Sequence, residues 1–160
     1  MRRLNPQRGL TLIEAVVGLG IAAFLAITAA PYFADYAANS RLREGGHVLY
    51  AESLAAQAEA VKRNGTVRLS VDGGTVQVLD MAVPATPVVL RERLLSSSVT
   101  ATTTTIDFNA EGRPLPFPST ASVNLSYSGV SCSADYRCPG LRVEAGGSIR
   151  LCANHLDSTC

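Results

Sequence analysis

An uncharged run from Ala15 to Ala34 constrains this chain more than any other feature. Its 20 residues in helical form, at about 1.5 Å each, span roughly 30 Å, the thickness of a bilayer's hydrocarbon core. Ahead of it stands Met1-Arg2-Arg3-Leu4-Asn5-Pro6-Gln7-Arg8-Gly9, with three arginines and no acid. A basic flank on the N-terminal side holds that end in the cytoplasm and sends everything after Asp35 outward. The remaining length is enough for a single folded head.

A secretory signal peptide is the rival reading, with Ile27-Thr28-Ala29-Ala30 offering small residues for cleavage. Two residues oppose it. Glu14 sets a charge at the start of the apolar run, where a signal's hydrophobic stretch has none, and Pro31 would follow a cut after Ala30. A plain single-pass anchor tolerates both and explains neither. A carboxylate at membrane depth costs about 2.5–3.5 kcal/mol on insertion scales, so Glu14 demands a partner or a function.

The stretch Arg8-Gly9-Leu10-Thr11-Leu12-Ile13-Glu14 resembles the cleavage and methylation motif of type IV prepilins and type II secretion pseudopilins. The resemblance implies that a prepilin peptidase cuts after Gly9, that Leu10 becomes the N-methylated first residue, and that Glu14 is the fifth residue of the mature chain. Pro31 then falls where such proteins often carry a kinking proline, since it lacks an N–H and its ring clashes one turn back. The family usually starts with Phe where this chain has Leu10. In a helical filament the free amine of an adjacent subunit would pair with Glu14, removing two isolated charges together. Gly18 and Gly20 thin the helix for close neighbours.

Past Asp35 the helical pattern continues through Ala38, Leu42, Gly45, Leu49, Ser53, Ala56 and Ala60, a narrow stripe of small and apolar residues. Arg41, Arg43, Glu44, Glu52, Glu59, Lys62 and Arg63 occupy the other faces. Cations in the last turn and Asn64-Gly65 after it mark the stop, and Gly45-Gly46 reads as the weak place in the helix. Beyond Gly65 the texture turns to β. Thr66 to Val71 and Thr75 to Leu79 alternate around Asp72-Gly73-Gly74 as a hairpin. Further strands are expected at Val88 to Arg91, Val99 to Phe108, Ala121 to Tyr127, Gly140 to Glu144 and Ser148 to Cys152, with turns at Glu111-Gly112-Arg113-Pro114 and Ala145-Gly146-Gly147.

One long helix followed by short strands predicts an α+β fold with the helix laid across a small antiparallel sheet. The expected divisions are a leader over 1–9, a membrane and filament-core helix over 10–34, an amphipathic helical half over 35–65, and a β-rich head over 66–160. A second resemblance agrees with this. The segment Leu54 to Leu69 is similar to the helix-to-strand junction of the GspH/FimT group of minor pilins and pseudopilins, and Ile106 to Arg113 resembles its later strand and glycine turn. With Gly140 to Cys152, the likeness extends over most of the chain. It implies a type IV pilin-like subunit whose partners are the prepilin peptidase, the inner membrane, and other major and minor pilins or pseudopilins. The alternatives within that resemblance are a pilus subunit, a type II secretion subunit, and a DNA-binding minor pilin for natural transformation.

All four cysteines, Cys132, Cys138, Cys152 and Cys160, lie in the last 29 residues. An even cluster beyond a membrane segment reads as two disulfides with three pairings open, and spacing favours Cys132 with Cys138 and Cys152 with Cys160. A zinc site with His155 is the rival, but no CxxC appears and no metal is expected. FimT-like members are thought to bind DNA through a Gly-Arg-x-Arg motif. The corresponding stretch here, Gly147-Ser148-Ile149-Arg150, lacks the first arginine.

Arg137, Arg142 and Arg150 are the arginines that would form a phosphate-binding patch. Scattered surface arginines are the preferred reading, because the chain without its leader carries 11 basic and 13 acidic residues. Neither HExxH, G-x-S-x-G nor a phosphate-binding loop is present, and Asp107, Glu111 and Glu144 have no accompanying nucleophile or metal cluster, so no enzyme and no cofactor are expected.

Overall fold

The computed structural model describes residues 11–158 and 160, with position 31 described in its backbone alone. The expected leader, Gly9 and Leu10 lie outside the described residues. Helix α1 spans Leu12–Arg63. It starts on Thr11, whose Oγ1 accepts the Glu14 N–H at 3.4 Å while its carbonyl accepts the Ala15 N–H at 3.2 Å. A threonine three residues before a glutamate is the sequence form of a capping box, and the threonine supplies its half of the bond pair here. Glu14 also sits in the first turn, where the helix dipole favours an anion.

The other end closes as the sequence predicts, and the geometry gives the reason. Asn64 takes the left-handed conformation at φ 49°. Its N–H reaches Val61 O at 3.2 Å and the Gly65 N–H reaches Ala60 O at 3.1 Å. These two bonds make a Schellman stop that satisfies carbonyls the helix would otherwise leave open.

The chain falls into two compact units that meet between Tyr36 and Ala37, within α1. The first is helical throughout its described length after Thr11. Over Leu12–Ala30 its mean hydropathy is 2.2 and none of it is buried. Thr28, near the end of this stretch, gives its hydroxyl to Phe24 O and Leu25 O, so its side chain is satisfied within the helix.

The second unit holds the core. Its strands are β1 (Val67–Gly73), β2 (Thr75–Asp80), β3 (Val88–Leu94), β4 (Val99–Phe108), β5 (Pro114–Leu115), β6 (Ala121–Tyr127), β7 (Gly140–Val143) and β8 (Ile149–Cys152). They bond in the order β3-β2-β1-β4-β6-β7-β8, with β5 added to β4. Every pairing is antiparallel. Val67, Leu69, Val71, Val76, Val78, Ile106, Phe108, Val123, Leu125, Leu141 and Val143 turn inward onto Leu42, Leu49, Ala56 and Ala60 of α1. Alternate residues on the strands face away, as the two-residue strand period requires.

Three sequence expectations shift. Asp72 pairs with Thr75, so the hairpin turn is Gly73-Gly74 alone, with Gly73 at φ 54°. Strand β3 continues through Glu92, Arg93 and Leu94, because its partner β2 supplies hydrogen bonds to residues whose polarity does not announce a strand. Gly45 and Gly46 are points of close approach rather than weak places. A Cβ on Gly45 would stand 3.2 Å from Val99 Cγ1, and one on Gly46 would stand 2.9 Å from Pro139 Cβ, which a rigid ring cannot yield.

Candidate functional site

Three features of the chain go beyond a simple core, and the first is the apolar surface of residues 11–36. Leu12, Ile13, Leu19, Phe24, Ile27, Tyr32 and Phe33 are all strongly exposed. An exposed apolar surface of this extent marks a membrane or protein contact. Glu14 lies at its start and Pro31 near its end, with α1 running through position 31.

The second feature is a set of polar clamps between α1 and the sheet. Glu52 is only 3% exposed, although it reads in the sequence as part of a charged face. Arg91 grips its carboxylate in two bonds, Nε to Oε2 at 2.8 Å and Nη2 to Oε1 at 2.9 Å, and Arg93 Nε stands 3.5 Å from Oε1. The Arg91 guanidinium, against the opposing pull of burial, holds the Glu52 carboxyl below the usual carboxylate range. Arg91 and Arg93 oppose Val78 and Val76 across the ladder. The edge strand therefore meets the helix through charge where the inner strands use apolar side chains. A charged edge also discourages a foreign strand from pairing there. Glu52 falls three residues after Leu49 and four before Ala56, a spacing that could have revealed it. Gln57 is the second clamp: its Nε2 donates to Gly112 O and Gly147 O, both at 2.7 Å, and ties two glycine turns to the helix.

The third feature is a cleft of about 470 Å³ among Asn39, Arg43, His47, Arg137 and Leu151, beside Cys152. Asn39, Arg43 and His47 follow at steps of four on one helical face. The opposite wall comes from two disulfide-tied segments, since Cys132 is bonded to Cys138 and Cys152 to Cys160. Asn39 fastens the first of these to the helix: its Nδ2 donates to Asp135 O at 3.1 Å and its Oδ1 accepts the Arg137 N–H at 3.2 Å. Nothing in the sequence picks out Asn39, because its partners are 96 and 98 residues away.

The three arginines weighed for phosphate binding are not gathered into one patch. Arg142 and Arg150 face each other across β7 and β8. Arg142 donates to Asn124 Oδ1 at 2.8 Å and Arg150 to Glu144 Oε1 at 2.6 Å. Strand alternation sets this pair on the face opposite Leu141 and Leu151, whereas Arg137 lines the cleft beside Leu151. Asp107, raised as a possible acid, is held by Arg68 Nε at 2.6 Å and Nη2 at 2.8 Å. Among the described residues no three His, Cys, Asp or Glu side chains converge on a metal position. His155 instead places Nδ1 3.1 Å from Cys138 O.

The model of the family described as type II transport protein GspH matches residues 47–154. The chain belongs to the GspH family. Members of pilin and pseudopilin families are structural subunits, and this GspH-family head has their fold. The type IV minor pilin FimU of Pseudomonas aeruginosa is 20% identical, with a TM-score of 0.59 over 70% of this chain and 88% of that one. The minor pseudopilin EpsH from the type 2 secretion system of Vibrio cholerae is 12% identical, with a TM-score of 0.56 over 75% of this chain and 99% of that one. At these identities the likeness is one of fold. No curated protein sequence matches the chain.

Proposed function

We propose that this GspH-family chain is a minor pilin or pseudopilin that is cut after Gly9, methylated on Leu10 and built into, or used to start, a type IV pilus. The observation that carries the reading is the wholly unburied apolar helix Leu12–Ala30 with Glu14 in its first turn, in a chain of this family. Segment 10–34 holds the subunit in the inner membrane with its N-terminus cytoplasmic and 66–160 on the periplasmic side. On assembly the apolar helix exchanges lipid for neighbouring helices, and Glu14 meets the free amine of an adjacent subunit. Pro31 supplies a helix position without an N–H, at which the segment adjusts to its neighbours. The partners are the prepilin peptidase and other major and minor subunits.

Two measurements test this. Intact mass from a host with the matching peptidase should give a chain starting at methylated Leu10; a start near Pro31 would make it a secreted domain. Glu14→Ala should insert in the membrane normally yet drop from the filament by more than about 10-fold, the size of one lost buried ion pair. Normal incorporation of that variant would refute the pairing. The family description favours a second reading, a subunit of a type II secretion machine. Deleting the chain and counting surface pili against secreted protein separates the two.

A further inference from the structure

We infer that the cleft between α1 and the two disulfide-tied segments receives an acidic segment of a neighbouring protein subunit. The inference rests on the subunit reading only for the source of that segment. The cleft holds two arginines, Arg43 and Arg137, against one acid, Asp135, with the His47 imidazole beside them. Among the described residues neither arginine's guanidinium has an ion-pair or hydrogen-bond partner, whereas Arg63, Arg68, Arg91 and Arg150 each have a carboxylate. Among the described residues Arg41 and Arg142 also bond to side chains and Arg113 lies over the Phe117 ring, whereas Arg43 and Arg137 face one cavity.

The cavity is also built in advance. Asn39 fixes the 132–138 loop to the helix through both of its side-chain atoms. The Cys132–Cys138 bond closes that loop, and the Cys152–Cys160 bond ties the chain end to the second wall. Pro139 and Leu151, pressed on Gly46, supply an apolar floor. Because both walls are fixed, a docking carboxylate has to order only the two side chains, and the forked charge-assisted bonds they can form are the strong kind.

The shape selects a peptide over nucleic acid. A duplex presents its phosphates along extended ridges and is met by cations spread over an outer surface. Here the cations converge on a concavity with an apolar floor. Carboxylates flanked by aliphatic side chains fit that combination: the acids reach Arg43 and Arg137, and the aliphatic groups lie on Leu151 and Pro139.

The test uses the full chain in detergent micelles at low salt. The probe is a labelled capped peptide, Leu-Glu-Asp-Leu-Glu, with its lysine-substituted counterpart and a short DNA duplex as comparators. The acidic peptide should bind, and Arg43→Glu and Arg137→Glu should each weaken it by about 10-fold or more, as for loss of a charge-assisted contact. Arg113→Glu makes the same charge change away from the cleft and should alter binding less than about twofold, the scale of a screened distant charge. The double variant of Arg43 and Arg137 should take up the lysine peptide instead. The double Gln variant removes the charges without reversing them and should also lose the acidic peptide, which guards against a folding defect. No shift with the acidic peptide, equal weakening by Arg113→Glu, or tighter cleft-dependent binding of the duplex overturns the inference. None of these results bears on assembly through Glu14, so failure here leaves the subunit reading standing.

Discussion

Residues 11–36 and 37–160 use similar amino acids to opposite ends. Leu25 in the first region is 59% exposed, while Leu49 in the second is 0% exposed. Both are leucines on the same helix, α1. The first region satisfies its backbone internally and leaves its apolar side chains open, which suits a lipid or filament environment. The second encloses its apolar side chains under a sheet and surrounds them with charge. Helix formation and burial are thus separate achievements: hydropathy and capping give the first, and only a facing sheet gives the second.

That contrast can be broken most directly by cutting between the regions. A chain starting at Ala37 should lose membrane retention entirely and still melt in one cooperative transition, because the core lies within that unit. A non-cooperative melt of the truncated chain would show that the head depends on the apolar helix. A milder form sets Leu49→Ala against Leu25→Ala. The first should cost about 3 kcal/mol, lowering the head's melting temperature by roughly 10 °C, and the second should leave it unchanged. Equal effects, measured by thermal unfolding in one detergent, would erase the distinction.

Smaller effects sharpen how the head is closed. Glu52→Ala should destabilise it by about 2 kcal/mol, because it strands two arginines against the helix while solvent still screens their exposed portions. The pair also gives an acid dependence whose sign follows from the lowered Glu52 pKa. The folded carboxyl titrates below its ordinary 4.5, so the unfolded chain takes up the proton first. The stabilisation is complete above about pH 4.5 and fades as pH falls through the folded value. Wild-type protein should therefore lose more melting temperature than Glu52→Gln between about pH 6 and pH 3. Identical slopes would mean that the carboxylate gains nothing from its arginines. Gln57→Ala should have the least effect, about 1 kcal/mol, with faster amide exchange at the turns around Gly112 and Gly147.

The chain's order of elements was legible because it depends on neighbours in sequence. The helix stop at Asn64, the stripe from Ala38 to Ala60 and the spans of β4 and β6 follow from local conformational preference and period. The disulfide pairing was legible in the spacing of the cysteines, and the contiguous motif from Arg8 to Glu14 carries the proposed processing. The candidate site was hidden wherever a side chain meets a partner far along the chain. Glu52 and Arg91 are 39 residues apart, and Gln57 reaches across 55 and 90.

The sequence by itself determined a helix able to cross a membrane, a β-rich head after it, the positions of most strands and the pairing of the four cysteines. Each of these comes from the composition and period of a short window, which physics reads without knowing the rest of the chain. Only the tertiary structure decided that Glu52 is buried, that Gly45 and Gly46 are contact points, that Arg142 and Arg150 are engaged, and that Arg43 and Arg137 share an unpaired cleft. Those outcomes depend on which distant residues the sheet order brings against one face of α1, and a charge or a glycine carries no local mark of the partner it will meet.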